Sequence, residues 1–194
     1  LEFPKNFTTI RQVNISGEAF FDIKPDPEKP FIVNAGEMQV VVTGTSFNIC
    51  AWPGTETIDV VVETGTVKLV CTKTEDFAKL KMIELKEGEK GTLNKLTNRL
   101  EKSVNNDPNY LAWKTHSIEF NETKLSQVVD CLQKIYNVDI KLEDKELNDL
   151  RLTAQFDNKP LDFILNVVKL TFNLELGVDN EEYILSKKNN NNDL

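Results

Sequence analysis

Histidine, cysteine and basic patches are scarce in this sequence, and each scarcity removes a class of function. One histidine, His116, serves all 194 residues. A single imidazole cannot build a His-rich metal centre. Ser-His-Asp or Cys-His catalysis would have to run through His116, and nothing around it supports that role. The three cysteines, Cys50, Cys71 and Cys131, are odd in number, far apart and in no C-x-x-C pair. They read as small, mostly buried apolar residues. A Cys50–Cys71 bridge stays open as an alternative in an oxidising compartment. Neither a metal nor a cofactor is expected. Basic residues are in deficit too: 23 Lys and Arg against 31 Asp and Glu give a net charge of −8. The longest basic cluster is Lys187-Lys188, so a nucleic-acid partner is not expected. No apolar run approaches the ~20 residues that span a bilayer. There is no basic-then-apolar leader, and Leu1 is not an initiator Met. The sequence reads as an excised soluble fragment whose targeting information lies upstream.

What remains is a globular composition, with 40% hydrophobic and 28% charged residues. The length allows one large domain or two small ones. The first half reads as β structure. Val13, Ile15, Gly17, Ala19, Phe21 and Ile23 alternate with Asn14, Ser16, Glu18, Phe20 and Asp22, a period-2 pattern that implies a strand with one buried face. Three prolines in "KPDPEKP" then force a turn. The segments "FIVNA", "MQVVVTGTSFNICA", "IDVVVETGTVKLV" and "MIELKEGEKGTL" follow, rich in Val, Ile, Thr and Phe and punctuated by Gly. Short strands at this spacing imply a β-sandwich, barrel or β-roll. No strong helical pattern precedes residue 100. The character changes in "NRLEKSVNNDPNY", where polar residues gather around Asn105–Pro108. We therefore expect a mainly β domain over residues 1–106 and a second domain over 107–188.

The second half contains an internal repeat. "FNETKLSQVVDCLQKIYNVDIKL" from Phe120 aligns without gaps on "FDNKPLDFILNVVKLTFNLELGV" from Phe156, at an offset of 36. Leu125, Val128, Val129, Leu132 and Tyr136 fall on Leu161, Ile164, Leu165, Val168 and Phe172, each set at helical spacing. Pro160 suits the first turn of the second helix. Asn137 and Asn173 are where each helix should stop, since Asn tolerates a left-handed cap. Two tandem β-α-β units predict a small α+β domain with helices on one face of a sheet. "EEYILS" adds a last strand, expected at the sheet edge, with Tyr183 and Leu185 on one face and Ile184 on the other. Residues 189–194, "NNNNDL", have nothing to bury and are expected to be a disordered tail.

These residues carry a resemblance. Gly17-Glu18-Ala19-Phe20-Phe21, Pro30-Phe31-Ile32-Val33, Gly44-Thr45-Ser46-Phe47-Asn48 and Glu63-Thr64-Gly65-Thr66-Val67 follow the order of the periplasmic domain of FecR-family anti-sigma factors. The last motif carries an inserted Thr. Leu85-Lys86-Glu87-Gly88-Glu89 stands for a turn that usually contains Pro. From "LAWKTHSIEFNETKLSQVV" onward the chain resembles the C-terminal domain of Bacteroidetes-type FecR proteins, with His116 where Gly is common. That domain is similar to the short N-terminal signalling domain of secretins and TonB-dependent transporters. The resemblance implies an N-terminally truncated periplasmic region of a single-pass inner-membrane protein. It would relay substrate occupancy of a TonB-dependent outer-membrane transporter to an extracytoplasmic-function sigma factor. The transporter's N-terminal signalling domain would be the partner here. The sigma factor would bind only a cytoplasmic segment upstream of this fragment.

Three other readings compete with a signal-receiving module. Some FecR-type proteins resemble proteins that cleave themselves at Gly-Thr, where the Thr hydroxyl attacks the preceding carbonyl; Gly44-Thr45 is the matching dipeptide. The favoured reading there is structural, with Gly bending a strand and Thr supplying β propensity, so no enzyme activity is expected. The second is a carbohydrate-binding β-sandwich, for which Trp52 beside Pro53 is the one tempting platform; Trp113 reads as packing at the domain junction. The third takes Glu143-Asp144 with Glu146, and Glu181-Glu182, as paired catalytic carboxylates. Both clusters sit beside predicted turns and read as solvated surface. For the leading reading, Tyr183, Ile184 and Leu185 are the residues expected to bind the partner, by adding its strand to the sheet edge.

Overall fold

The computed structural model describes residue 2, residues 11–73 and residues 81–188. The expected tail at 189–194 lies outside the described residues. Contacts divide the chain into two compact units, Leu1–Asn106 and Asp107–Leu194.

The first unit is all β among its described residues. Its strands are β1 (Arg11–Asn14), β2 (Gly17–Asp22), β3 (Phe31–Ala35), β4 (Met38–Val42), β5 (Ser46–Ala51), β6 (Thr57–Thr64), β7 (Thr66–Cys71), β8 (Lys81–Lys86), β9 (Glu89–Asn94) and β10 (Arg99–Val104). They form two five-stranded sheets, ordered β1-β3-β4-β7-β8 and β10-β9-β6-β5-β2. Alternation along β3 and β4 buries Phe31, Val33 and Ala35, and Met38, Val40 and Val42. These meet Phe47, Ile49, Val60, Val62 and Leu93 of the second sheet in one core. Phe21 stacks on Phe47 with ring centroids 5.3 Å apart. Gly91 lets the sheets approach, because a Cβ there would run into the side chains of Leu69 and Leu85.

Two expectations need correction here. The alternating stretch Val13–Ile23 is two strands in different sheets. Gly17, the first residue of β2, sits at φ +115°, a backbone only glycine adopts readily, and the chain crosses from one sheet to the other just before it. The polar stretch before the boundary also holds a strand. β10 pairs with β9 along its whole length, Arg99 opposite Asn94 through Val104 opposite Glu89. Its side chains are mostly exposed, so it gives no hydrophobic signal.

The second unit runs α1 (Ala112–Thr115), β11 (Ser117–Lys124), α2 (Leu125–Tyr136), β12 (Asp139–Leu142), a 3-10 turn at Lys145–Asp149, β13 (Arg151–Asp157), α3 (Leu161–Phe172), β14 (Leu174–Asp179) and β15 (Glu182–Lys187). The long helices keep the 36-residue offset of the sequence repeat. They bury Leu125, Val128, Val129 and Leu132, and Leu161, Ile164, Leu165 and Val168. Asn137 and Asn173 end them at φ +53° in the left-handed region, where Asn costs less than other side chains. Pro160 is the N-cap of α3, one residue earlier than its expected place in the first turn.

The strands do not form the expected single sheet with helices on one face. The first strands of the two repeats, β11 and β13, pair antiparallel as a two-stranded sheet. The second strands, β12 and β14, flank β15 in a separate three-stranded sheet. Equivalent strands thus face each other about a pseudo-twofold, and Phe120 meets Phe156 edge-on with centroids 6.5 Å apart.

Candidate functional site

The segment expected at a sheet edge is the centre of its sheet. β15 pairs parallel with β12 (Ile140 opposite Tyr183, Leu142 opposite Leu185) and antiparallel with β14 (Leu176 opposite Leu185, Val178 opposite Tyr183). The cause is a two-residue turn at Asn180-Glu181, both at positive φ (48° and 69°), the geometry of a tight hairpin. It folds β15 back along β14 and into the space beside β12. Leu185 is buried, Tyr183 packs on the core, and the Tyr183 hydroxyl donates to Asp162 Oδ1 at 3.3 Å. The charge of Asp162 is the main cause holding the Tyr183 hydroxyl above its ordinary pKa. Tyr183, Ile184 and Leu185 therefore offer no free backbone to a partner strand.

The edges are β12 and β14, and they are not equivalent. The Ile140 N–H on β12 donates to the side-chain oxygen Oε1 of Gln133 at 2.7 Å, so α2 caps that edge. β14 has no strand on its outer side among the described residues. The Leu185 carbonyl accepts the Glu143 N–H at 3.0 Å, on the side away from β14. Its antiparallel partner Leu176 must then turn its own N–H and C=O away from β15, and Val178 does the same by alternation. Val178 is 65% exposed. The result is an open edge with outward donors and acceptors at Leu176 and Val178.

One end of this sheet is acidic. Asp139, Glu182 and Asp179 lie abreast in one register row, and like charges directly opposite each other disfavour the pairing that holds them. The other acidic clusters have structural work. Glu181 is in the hairpin turn. Asp144 Oδ2 accepts the Lys187 N–H at 2.9 Å, and Glu146 pairs with the Lys187 ammonium, chiefly through a hydrogen bond that raises that lysine's pKa. These carboxylates secure the end of β15.

Gly44-Thr45 links β4 to β5. Thr45 is 3% exposed, and its hydroxyl donates to the Thr66 carbonyl at 2.8 Å. Its own carbonyl accepts the Ile23 N–H at 3.0 Å. A Cβ at Gly44 would stand 2.6 Å from Pro25 Cα, and one at Gly65, which sits at φ +84°, 3.0 Å from the Gly44 carbonyl oxygen. The glycines are therefore demanded by close packing. The hydroxyl's acceptor is a peptide carbonyl, which takes up no proton, so this hydrogen bond positions the group without activating it.

Trp52 is 49% exposed, and its ring lies beside Gly17, where a Cβ would stand 3.5 Å from Cζ3. It lines a groove of about 340 Å³ with Pro53, Glu37 and Lys95. The Lys95 ammonium is engaged by the carbonyls of Trp52 and Thr55 at 3.0 and 2.7 Å. Trp113 is half-buried on α1. His116 is the left-handed cap of α1, and its carbonyl accepts the Asn158 N–H at 2.8 Å. Cys50 and Cys71 are not bridged to each other and belong to different sheets. Burial pushes the Cys131 thiol up to about 11.

Among the described residues no helix is long and apolar enough to cross a membrane. Residues 3–68 match the family model for FecR protein, and residues 117–185 match the model for the FecR C-terminal region. Two crystal structures of a protein from Parabacteroides distasonis, assigned as an anti-sigma factor, resemble the chain over 96% of its length at 29% identity. Their TM-scores are 0.70 and 0.68, with 85% and 84% of that protein's chain covered. No curated protein matches. Two matched segments in the family's order, one in each compact unit, together with these structural neighbours, place the chain in the FecR family of anti-sigma factors, a regulatory family whose members act through sigma factors and transporters.

Proposed function

We propose that the second unit receives the signal by strand addition at β14, and that its partner is the N-terminal signalling domain of a TonB-dependent transporter. The open edge at Leu176 and Val178 is the observation that carries this reading, because the opposite edge is capped by Gln133. A partner strand bringing Lys or Arg beside Asp179 would relieve the acidic row formed with Glu182 and Asp139. The fragment acts as a periplasmic, non-enzymatic receiver of a single-pass inner-membrane protein. An upstream cytoplasmic segment passes the message to an extracytoplasmic-function sigma factor. In this reading Thr45 is a structural residue and not a nucleophile.

The test is Val178→Pro. Proline removes an N–H that faces outward and leaves the bonds to β15 in place, the position at which an edge strand tolerates it. Titration calorimetry against purified transporter signalling domains should show affinity reduced at least about tenfold, with the circular dichroism spectrum unchanged. Undiminished affinity in a folded Val178→Pro variant would remove β14 as the receiving edge. Ile184→Pro is unsuitable, since it would disrupt the centre of the sheet.

A further inference from the structure

The two repeats bury matching faces but do not match on the outside. On α2 the outer face carries Gln127, Cys131 and Lys134, of which Cys131 also packs partly on the core. The equivalents on α3, at the same 36-residue offset, are Phe163, Val167 and Leu170. Phe163 is 47% and Leu170 78% exposed, with Val167 half-buried between them. The polar version of this face on α2 accompanies an equally buried inner face, so packing within the unit does not require the apolar version on α3. Such a stripe on a solvent-facing helix marks an interaction surface.

The charges beside the stripe indicate what covers it. Asp162 and Lys169 lie seven residues apart, on one flank of α3 and two turns from each other. When two copies of a helix pack antiparallel, the same flank of each meets the other. That arrangement sets Asp162 of one copy against Lys169 of the second, and the reverse. It also brings Lys159, whose ammonium stands 5.3 Å from the centre of the Phe163 ring, toward the negative C-terminal end of the other α3. We propose that α3 is a self-association surface, with a second copy of this chain docking antiparallel through Phe163, Val167 and Leu170. Twelve residues make a helix about 18 Å long, which limits the buried area to less than the ~1,000 Å² of a stable interface. The dimer is therefore weak and forms at high local concentration.

Sedimentation velocity over a concentration series of the chain tests this. The wild type should shift from monomer to dimer as concentration rises. Phe163→Gln with Leu170→Lys installs the residues that α2 already carries at these positions, so the fold should accept them. It should raise the dissociation constant at least about tenfold at an unchanged melting temperature. Asp162→Lys sets lysines against lysines and should also weaken the dimer. Adding Lys169→Asp to it should restore association, because the flank is complementary to itself again; a role confined to the helix dipole would give no such rescue. A monomer throughout the series would overturn the proposal. So would a dimer indifferent to the Phe163 and Leu170 changes, or one that the double charge exchange fails to rescue. Loss of transporter-domain binding in Phe163→Gln/Leu170→Lys, with no effect on self-association, would assign the surface to that partner instead. The β14 test is read on a separate variant, so either idea can fail alone.

Discussion

Replacing Thr45 separates a buried structural hydroxyl from a nucleophile. Thr45→Val keeps the shape and removes the hydroxyl, leaving the Thr66 carbonyl without its 2.8 Å donor at a position 3% exposed. A net hydrogen bond is worth about 1 kcal/mol, and a stranded buried carbonyl costs about 1–3 kcal/mol. Relaxation of the loop reduces the sum, so we expect a loss of about 1–2 kcal/mol. Thr45→Ser keeps the hydroxyl and loses a methyl, for about 1 kcal/mol. Thr45→Ala loses both, for about 2–3 kcal/mol. Equilibrium urea denaturation gives the order directly. With Trp113 replaced by Phe, Trp52 reports on the first unit alone. Intact mass spectrometry on the same samples should give one full-length mass for every variant. A nucleophilic Thr45 predicts a different pattern: two fragments in the wild type and in Thr45→Ser, merging into one mass in the Val and Ala variants. That pattern, or a Val variant as stable as the wild type, would refute the structural assignment.

Leu132 and Val168 are repeat equivalents, both fully buried; Leu132→Ala should cost about 2–4 and Val168→Ala about 1–3 kcal/mol through lost burial and cavities. Trp113 fluorescence in a Trp52→Phe background measures this, and losses below about 0.5 kcal/mol would place either residue outside the core. Glu181 adopts φ +69° in the β14–β15 hairpin, so Glu181→Gly should stabilise the second unit by about 0.5–1 kcal/mol. A lower denaturation midpoint in that variant would show that the Glu181 side chain contributes something the turn geometry does not reveal.

The repeat made the helices of the second unit legible because both signals involved are local. Apolar spacing sets the buried face, and Asn137 and Asn173 set the stops. Strand partnership was not legible, since pairing β12 with β15 joins residues 43 positions apart and no local pattern encodes it. The hairpin that makes β15 central had a readable clue. Asn180 stands two residues before Glu182, where the strand carrying the β-prone run Tyr183-Ile184-Leu185 begins, but Glu in the second turn position hides the usual Asn-Gly signature. β10 was missed for a related reason, since a strand with Leu100 alone packed on the core has no hydrophobic period to detect. The family motifs at Gly44-Thr45 and Glu63–Val67 were readable as residues. Their physical reason, glycines packed against Pro25 and the Gly44 carbonyl, exists only once the strands are assembled.

The central place of β15 sets the order of assembly. The strand that joins β12 to β14 follows both of them in sequence, so the sheet closes only after residue 187 has been synthesised. A product ending before Glu182 would lose the middle of its sheet and leave the inner edges of β12 and β14 unpaired. A protease that pulls on β15 must break its pairing on both sides at once, six residue pairs with β14 and four with β12. The second unit's resistance to degradation therefore rests on β15.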